Sequence, residues 1–240
     1  MNSKTTSQEL KEKNRLILRA FKKLSKSFGK QNWWPADTPF EVIVGAILTQ
    51  QTSWKNVEKA IEKLKKENLL EANKLFKVDA ENLKTFIKEV GFYNVKALRL
   101  KAFLNYFNEF YDLDLEKMKK RDLIDLRNEL LKVNGIGRET ADSILLYALD
   151  KPIFVVDAYT KRFSYRFGII ENTNLAYDKI REIFENALKE NSLESTLENN
   201  KEMHALIVEL SKRYCKKVSN CSACVLNKEC PKKGSVYEFS

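Results

Sequence analysis

Three groups of residues in this 240-residue chain could do chemistry. Four cysteines crowd the C-terminus: Cys215, then Cys221 after five residues, Cys224 after two more, and Cys230 after another five, followed by Pro231. In a reducing compartment such a cluster holds metal more readily than it forms disulfides, and four thiolates suit a [4Fe–4S] cluster or a structural zinc. A single carboxylate, Asp157, ends the apolar run Pro152-Ile153-Phe154-Val155-Val156, where solubility is a poor reason for an acid. It can cap a helix starting at Ala158, and the donors at a cap would keep it ionised at neutral pH. The third group is Val133-Asn134-Gly135-Ile136-Gly137. This turn can aim backbone N–H groups at an anion, with glycine allowing close approach and left-handed backbone. Taken alone, it reads better as an ordinary corner between two helices with a glycine turn.

The elements that must position these groups read as helices. Seven Gly and four Pro are few for the many turns of a β fold, so the chain is expected to be all-α. Leu16, Ile17, Ala20, Phe21 and Leu24 recur at helical spacing. After Trp33-Trp34-Pro35 and Pro39, the run Phe40 to Leu48 predicts a buried helix. Val57, Ile61 and Leu64 predict another, as do Leu83, Phe86, Ile87 and Val90, and then Leu98 to Phe107. Leu123, Leu126, Leu130 and Leu131, then the glycine turn, then Ala141, Ile144, Leu145 and Ala148 predict a helix, a tight hairpin and a second helix. Further helices are expected over 158–167, 177–188 and 203–214, with an Asn/Glu/Ser-rich loop at 190–201. His204, the one histidine, lies on the apolar face of the last helix and reads as a packed residue that no chemistry requires.

Lys and Arg number 43 against 33 Asp and Glu, a formal charge of +10, and Ser211 to Ser240 carries seven basic residues against two acidic. Concentrating the excess at one end suits phosphate contacts, although charge alone fits a solvated surface equally well. No apolar run approaches the ~20 residues of a membrane span, and the N-terminus lacks an apolar signal core. No membrane partner is expected, and the expected location is intracellular: cytoplasmic and nucleoid-associated.

The run Asn134-Gly135-Ile136-Gly137-Arg138-Glu139-Thr140-Ala141, followed by Val155-Val156-Asp157, resembles the helix-hairpin-helix and Gly/Pro-Asp loop of the endonuclease III superfamily of DNA glycosylases. Leu48-Thr49-Gln50-Gln51-Thr52 and Gly91-Phe92-Tyr93-Asn94-Val95-Lys96-Ala97 look like two further blocks in the expected order. The resemblance implies a bilobal all-α fold. A six-helix domain would span 24–150 and include the helix-hairpin-helix at 121–149. A terminal domain would join 1–23 to 151–240, with an iron–sulfur loop at 215–230 and Asp157 in the cleft between. It implies a monomer acting on double-stranded DNA whose damaged base is flipped out of the helix. Asp157 would stabilise the oxocarbenium sugar, and Gln51 would fill the vacated stack. Gly135, Gly137 and Arg138 would hold a phosphate, with a monovalent cation at the hairpin. Cys215, Cys221, Cys224 and Cys230 would hold the [4Fe–4S] cluster, presenting Lys216, Lys217 and Lys228 to DNA. Their first interval is one residue shorter than is usual there, and zinc is the alternative.

Glu139 stands where strand-nicking members carry a lysine whose amine attacks the sugar, so the resemblance implies a monofunctional enzyme. Within the superfamily, Trp33-Trp34-Pro35, Trp54, Gly135 to Asp142 and His204 to Lys212 resemble the bacterial 3-methyladenine DNA glycosylase III group. That likeness implies a base pocket lined by Trp33, Trp34, Pro35 and Trp54, with Lys212 beside it. Its substrate would be an alkylated purine such as 3-methyladenine or 7-methylguanine, selected by stacking and cation–π attraction. The group itself typically lacks the four cysteines. Two other readings stand: a superfamily glycosylase for mispaired or oxidised bases, with or without strand nicking, and a non-catalytic helix-hairpin-helix DNA-binding protein. Asp157 weighs against the last, because binding alone gains nothing from a carboxylate beside phosphate.

Overall fold

Asp, Ser and Thr side chains at the heads of six helices accept backbone N–H groups that a helix start leaves unpaired, and they set where those elements begin. The computed structural model of the protein describes residues 3–237. The chain divides into two compact units, Trp34–Lys151 and Met1–Trp33 with Pro152–Ser240.

The first of these is built around α2 (Pro39–Leu48). Thr38 Oγ1 accepts the Glu41 N–H at 3.1 Å, Pro39 takes the first turn, and every residue from Phe40 to Leu48 is buried. A helix apolar all round must sit inside its neighbours. Those neighbours are α3 (Trp54–Lys66), α6 (Tyr93–Tyr111) and α9 (Arg138–Ser143), the last widening into a π turn over Ile144–Ala148, and α4 (Ala72–Lys77), α5 (Ala80–Phe86), α7 (Leu115–Lys119) and α8 (Leu123–Lys132) pack on these in turn. The expected six-helix domain thus holds more helices than six. Six-residue α4 and five-residue α7 are too short to show a hydrophobic period in sequence.

The hairpin between α8 and α9 is locked twice. Asp122 caps α8 through the Ile124 and Asp125 N–H groups at 2.7 and 3.2 Å. Arg127 on α8 then grips the fully buried Asp142 on α9 with two bonds, Nε to Oδ1 at 2.6 Å and Nη2 to Oδ2 at 3.1 Å. Between them Gly135 adopts φ +84°, and a Cβ there would lie 2.1 Å from Arg99 Cγ, so both backbone and space demand glycine.

The other unit packs α1 (Ser3–Phe28) against α11 (Tyr177–Leu188) and α12 (Leu193–Arg213), with α10 (Ala158–Arg166) on α12. Ile17, Ala20 and Leu24 of α1 share one core with Phe163, Phe167, Phe184 and Leu206. The Phe154 and Phe184 rings stack at 4.5 Å. The division falls after Trp33 rather than after residue 23, because α1 is uninterrupted to Phe28 and buries Leu24 in this core. The expected loop at 190–201 is largely helix: Ser192 caps α12 by accepting the Ser195 N–H at 3.0 Å, and the Asn/Glu run is its solvated face. The only strands among the described residues are a two-residue parallel pair, Val218–Ser219 with Val236–Tyr237, which brackets the cysteine loop. Among the described residues no helix is long and apolar enough to cross a membrane.

Removing one partner of a buried ion pair leaves the other as an uncompensated charge, which costs about 3–5 kcal/mol. Arg127→Leu should lower the unfolding free energy by about that amount in urea, and adding Asp142→Leu should restore most of it. A loss below about 1 kcal/mol would show that the pair does not brace the hairpin.

Candidate active site

Asp157 heads α10 with extended backbone (φ −92°, ψ −176°), and its Oδ1 accepts the Thr160 N–H at 2.6 Å. Its side chain is 13% exposed, and Oδ2 lies 3.6 Å from Nε2 of His204, whose side chain is 4% exposed. The preceding segment is fastened by α11: Glu185 Oε1 accepts the Phe154 N–H at 3.0 Å, and the Tyr177 hydroxyl accepts the Val156 N–H at 3.2 Å. Burial pushes the Asp157 pKa up, but His204 and the Thr160 N–H together outweigh it and hold the carboxyl below its usual value. The Trp33 ring lies 5.5 Å from the imidazole, tilted by 49°. His204, read from sequence as a packed residue, therefore faces the catalytic candidate. Only its position on a buried face was visible beforehand.

In the unit Trp34–Lys151, Gln50 ties the Gln-Gln-Thr segment to the hairpin. Its Nε2 donates to Gly135 O and to Thr140 Oγ1, both at 2.9 Å, while Arg99 donates to its Oε1. Neither Gln50 nor Arg99 was singled out from sequence, since nothing local shows that they meet across 49 residues. Gln51 is exposed beside them and held at φ +54°. Gly137 caps α9 with extended backbone, and a Cβ there would meet nothing within 4 Å. Its glycine is thus not required by the protein's own packing, unlike Gly135. Arg138 and Glu139 are exposed at the first turn of α9. Phe92 was quoted only as part of a motif. It is 70% exposed at the head of α6 with φ +46°, a strained conformation for an aromatic residue.

Trp34 and Trp54 meet edge to face at 5.3 Å, Tyr147 lies 5.5 Å from Trp34, and the indoles rest on Gly45 of α2, whose Cβ would sit 3.4 Å from Trp34 Nε1. A flat base between two parallel rings needs roughly 7 Å, twice the van der Waals separation. The two indoles therefore form one wall, not a slot, and Tyr147 is the member that sequence missed. Trp33 belongs to the other unit, packed on His204. Pro35 is exposed, and so is Lys212, two turns beyond His204 on α12.

Cys215, Cys221, Cys224 and Cys230 line one pocket with Phe163, Arg166 and Leu226. All four are free thiols. Arg166 donates from Nη1 to Cys215 Sγ at 3.6 Å and to Lys216 O at 2.5 Å, and from Nη2 to Lys217 O at 3.0 Å. Burial, with a further contribution from the neighbouring cysteines, pushes the Cys224 thiol up to about 11. Among the described residues no three His, Cys, Asp or Glu side chains converge as ligands of a single ion. Lys216, Lys217 and Lys228 are exposed on this loop.

Residues 44–190 match the family described as "HhH-GPD superfamily base excision DNA repair protein". The chain belongs to the HhH-GPD superfamily. It is 52% identical over 217 residues to the Methanocaldococcus jannaschii protein named "Putative DNA repair glycosylase MJ1434", spanning 90% of this chain and 96% of that one. It is 33% identical over 193 residues to endonuclease III of Thermotoga maritima, spanning 80% and 82% respectively. The crystal structure of H. pylori 3-methyladenine DNA glycosylase bound to 1,N6-ethenoadenine superposes with a TM-score of 0.69 at 33% identity, covering 84% of this chain and 97% of that one. This HhH-GPD protein is a DNA N-glycosylase of base excision repair.

A carboxyl whose pKa is lowered on folding adds stability that is whole above its unfolded value of ~3.9 and is lost as pH falls through the lower folded value. Relative to Asp157→Asn, the wild-type glycosylase should therefore lose stability as pH falls from about 5 to about 2, read by urea unfolding. A relative stability that is flat or rises over that interval would contradict a depressed Asp157.

Proposed function

We propose that this glycosylase hydrolyses the N-glycosidic bond of alkylated purines such as 3-methyladenine and 7-methylguanine, leaves the strand intact, and uses Asp157 as its catalytic carboxylate. The observation that carries the reading is a nearly buried carboxyl at the head of α10, with the Thr160 N–H at 2.6 Å on one oxygen and His204 at 3.6 Å from the other, contacts that hold its pKa below the usual value. An anion in that setting is placed to stabilise a cationic sugar. The C1′–N bond breaks with its electron pair leaving on the base, water adds to C1′, and Asp157 accepts the proton that the water gives up. A methylated purine is electron-poor or cationic, so its bond to the sugar is weak and the departing pair is well accommodated.

Substrate choice rests on the aromatic wall of Trp34, Trp54 and Tyr147. The flipped base stacks on that wall rather than between its indoles, and a positive charge on the base adds cation–π attraction. The likeness to a protein described as a 3-methyladenine DNA glycosylase supports the same class. Glu139 at the hairpin offers no amine for attack on the sugar, which favours hydrolysis alone. Gly137, open on its Cβ side, admits a phosphate to the N–H groups of α9, and Arg138 lies beside it. Gln51 and Phe92, two exposed side chains on left-handed backbone, are suited to enter a disturbed base stack.

Incubating duplexes that each carry one lesion, with and without alkali, tests the reading. Methylpurine duplexes should release free base and break only after alkali, whereas Asp157→Asn should bind the duplex and release none. Removal of an oxidised pyrimidine or a mispaired base with methylated duplexes left untouched would overturn the substrate class.

The four cysteines fit a [4Fe–4S] cluster: they share one pocket, and an arginine N–H points at one sulfur. Cys215, Cys221, Cys224 and Cys230 would hold it, and a cluster so bound supplies a rigid, redox-capable centre that orders Lys216, Lys217 and Lys228 toward phosphate. The purified protein should be yellow-brown, absorbing near about 400 nm with about four irons per chain. A colourless, folded protein containing zinc would overturn the assignment.

A further inference from the structure

Asp157 has two oxygens in different circumstances. Oδ1 is consumed by the Thr160 N–H at 2.6 Å, so Oδ2 is the oxygen left to act on a substrate, and it faces His204 Nε2 at 3.6 Å. That distance is beyond a good hydrogen bond and well within Coulombic reach. An imidazole so placed favours the ionised carboxyl and leaves Oδ2 without a short hydrogen bond to it. Both side chains are nearly buried, which weakens screening by water.

The imidazole is held like a fixed part. His204 lies mid-way along the buried face of α12, with Trp33 at 5.5 Å on one side and the edge of Phe154 at 6.3 Å on another. Other ionisable groups on the surrounding elements have different partners. Arg162 of α10 donates to Cys215 O, and Lys30 before Trp33 pairs with Glu198. From α11, Glu185 takes the Phe154 N–H and Arg181, and Tyr177 takes the Val156 N–H. On α12 itself Lys201 and Glu202 flank His204, and Glu202 accepts the Gln31 N–H.

We infer that His204 is a positioning residue for base excision: held between Trp33 and Phe154, its Nε2 faces Oδ2 of Asp157 and fixes the orientation of that oxygen. The inference rests on Asp157 being the catalytic carboxylate. Without His204, burial of the carboxyl is opposed only by the Thr160 bonds, and the protonated form is favoured. His204 touches neither base nor sugar in this role, so its loss should slow the chemical step and leave duplex affinity in place.

Two variants separate charge from packing. His204→Phe keeps a ring against Trp33 and Phe154 but carries no nitrogen, and His204→Gln keeps polarity without charge. Under single-turnover conditions, on whichever lesion duplex the wild type cleaves, both should release base on the order of tenfold to a hundredfold more slowly at pH 7, with duplex affinity within about twofold. The pH at which the rate falls on the acid side should move upward in both, because Asp157 loses the partner that depresses its pKa. Wild-type rates in His204→Phe, or an acid limb that does not move in either variant, would overturn the inference. If Phe prevents folding, judged by thermal melting, His204→Gln decides alone, with the smaller His204→Asn as its check. Asp157→Asn, run alongside, distinguishes the two failures: full activity there overturns the catalytic reading itself, whereas an inactive Asp157→Asn with fully active His204 variants overturns only the role of His204.

Discussion

A carboxylate nearly cut off from water takes up a proton unless the protein supplies what solvent would have supplied. In the unit that holds Asp157, much of the local architecture meets that constraint. The apolar run Ile153–Val156 brings the residue out of the core, and two side chains from α11 pin its backbone. The start of α10 offers the Thr160 N–H, and the buried face of α12 brings His204 opposite the remaining oxygen. The same residue is thus a helix cap and a poised anion. The cap alone would have been an ordinary structural use of aspartate.

The other unit solves a different problem, which is to expose backbone without losing shape. A turn that presents N–H groups to phosphate cannot cover them with side chains, so it must be braced from behind. Arg127 and Asp142 lock the two helices together, and Arg99 fills the space that a Cβ at Gly135 would need. Gln50 fastens the neighbouring Gln-Gln-Thr segment to the same turn. The outer side of Gly137 remains open. Rigidity behind and access in front are the two properties that the proposed phosphate contact requires.

Much of this was legible before any coordinates, for reasons that differ by residue. The long helices announced themselves by periodicity, and Asp157 stood out because an acid ends an apolar run. The cysteines were found by spacing, which local sequence carries in full. What stayed hidden depends on contacts between distant positions. Gln50, Arg99 and Tyr147 acquire their roles only when the chain brings partners beside them. His204 looked like core because a buried histidine and one facing a carboxylate have the same helical pattern. The tryptophans show the same limit: their spacing suggests a slot, but only the folded chain shows that Trp34 meets Trp54 edge to face, too closely to admit a ring between those two. The Asn/Glu-rich stretch at 190–201 was taken for a loop because composition reports solvation more directly than conformation.

The proposed mechanism is electrostatic: it needs one anion kept charged beside a sugar that becomes cationic. The most direct measurement compares duplexes carrying a cationic pyrrolidine in place of the target nucleotide with duplexes carrying the neutral tetrahydrofuran analogue. The account predicts that the wild-type protein binds the cationic duplex more tightly, on the order of a hundredfold, and that Asp157→Asn removes this preference while leaving affinity for the neutral duplex intact. Equal affinity for the two duplexes in the wild type, or a preference that survives in Asp157→Asn, would contradict it.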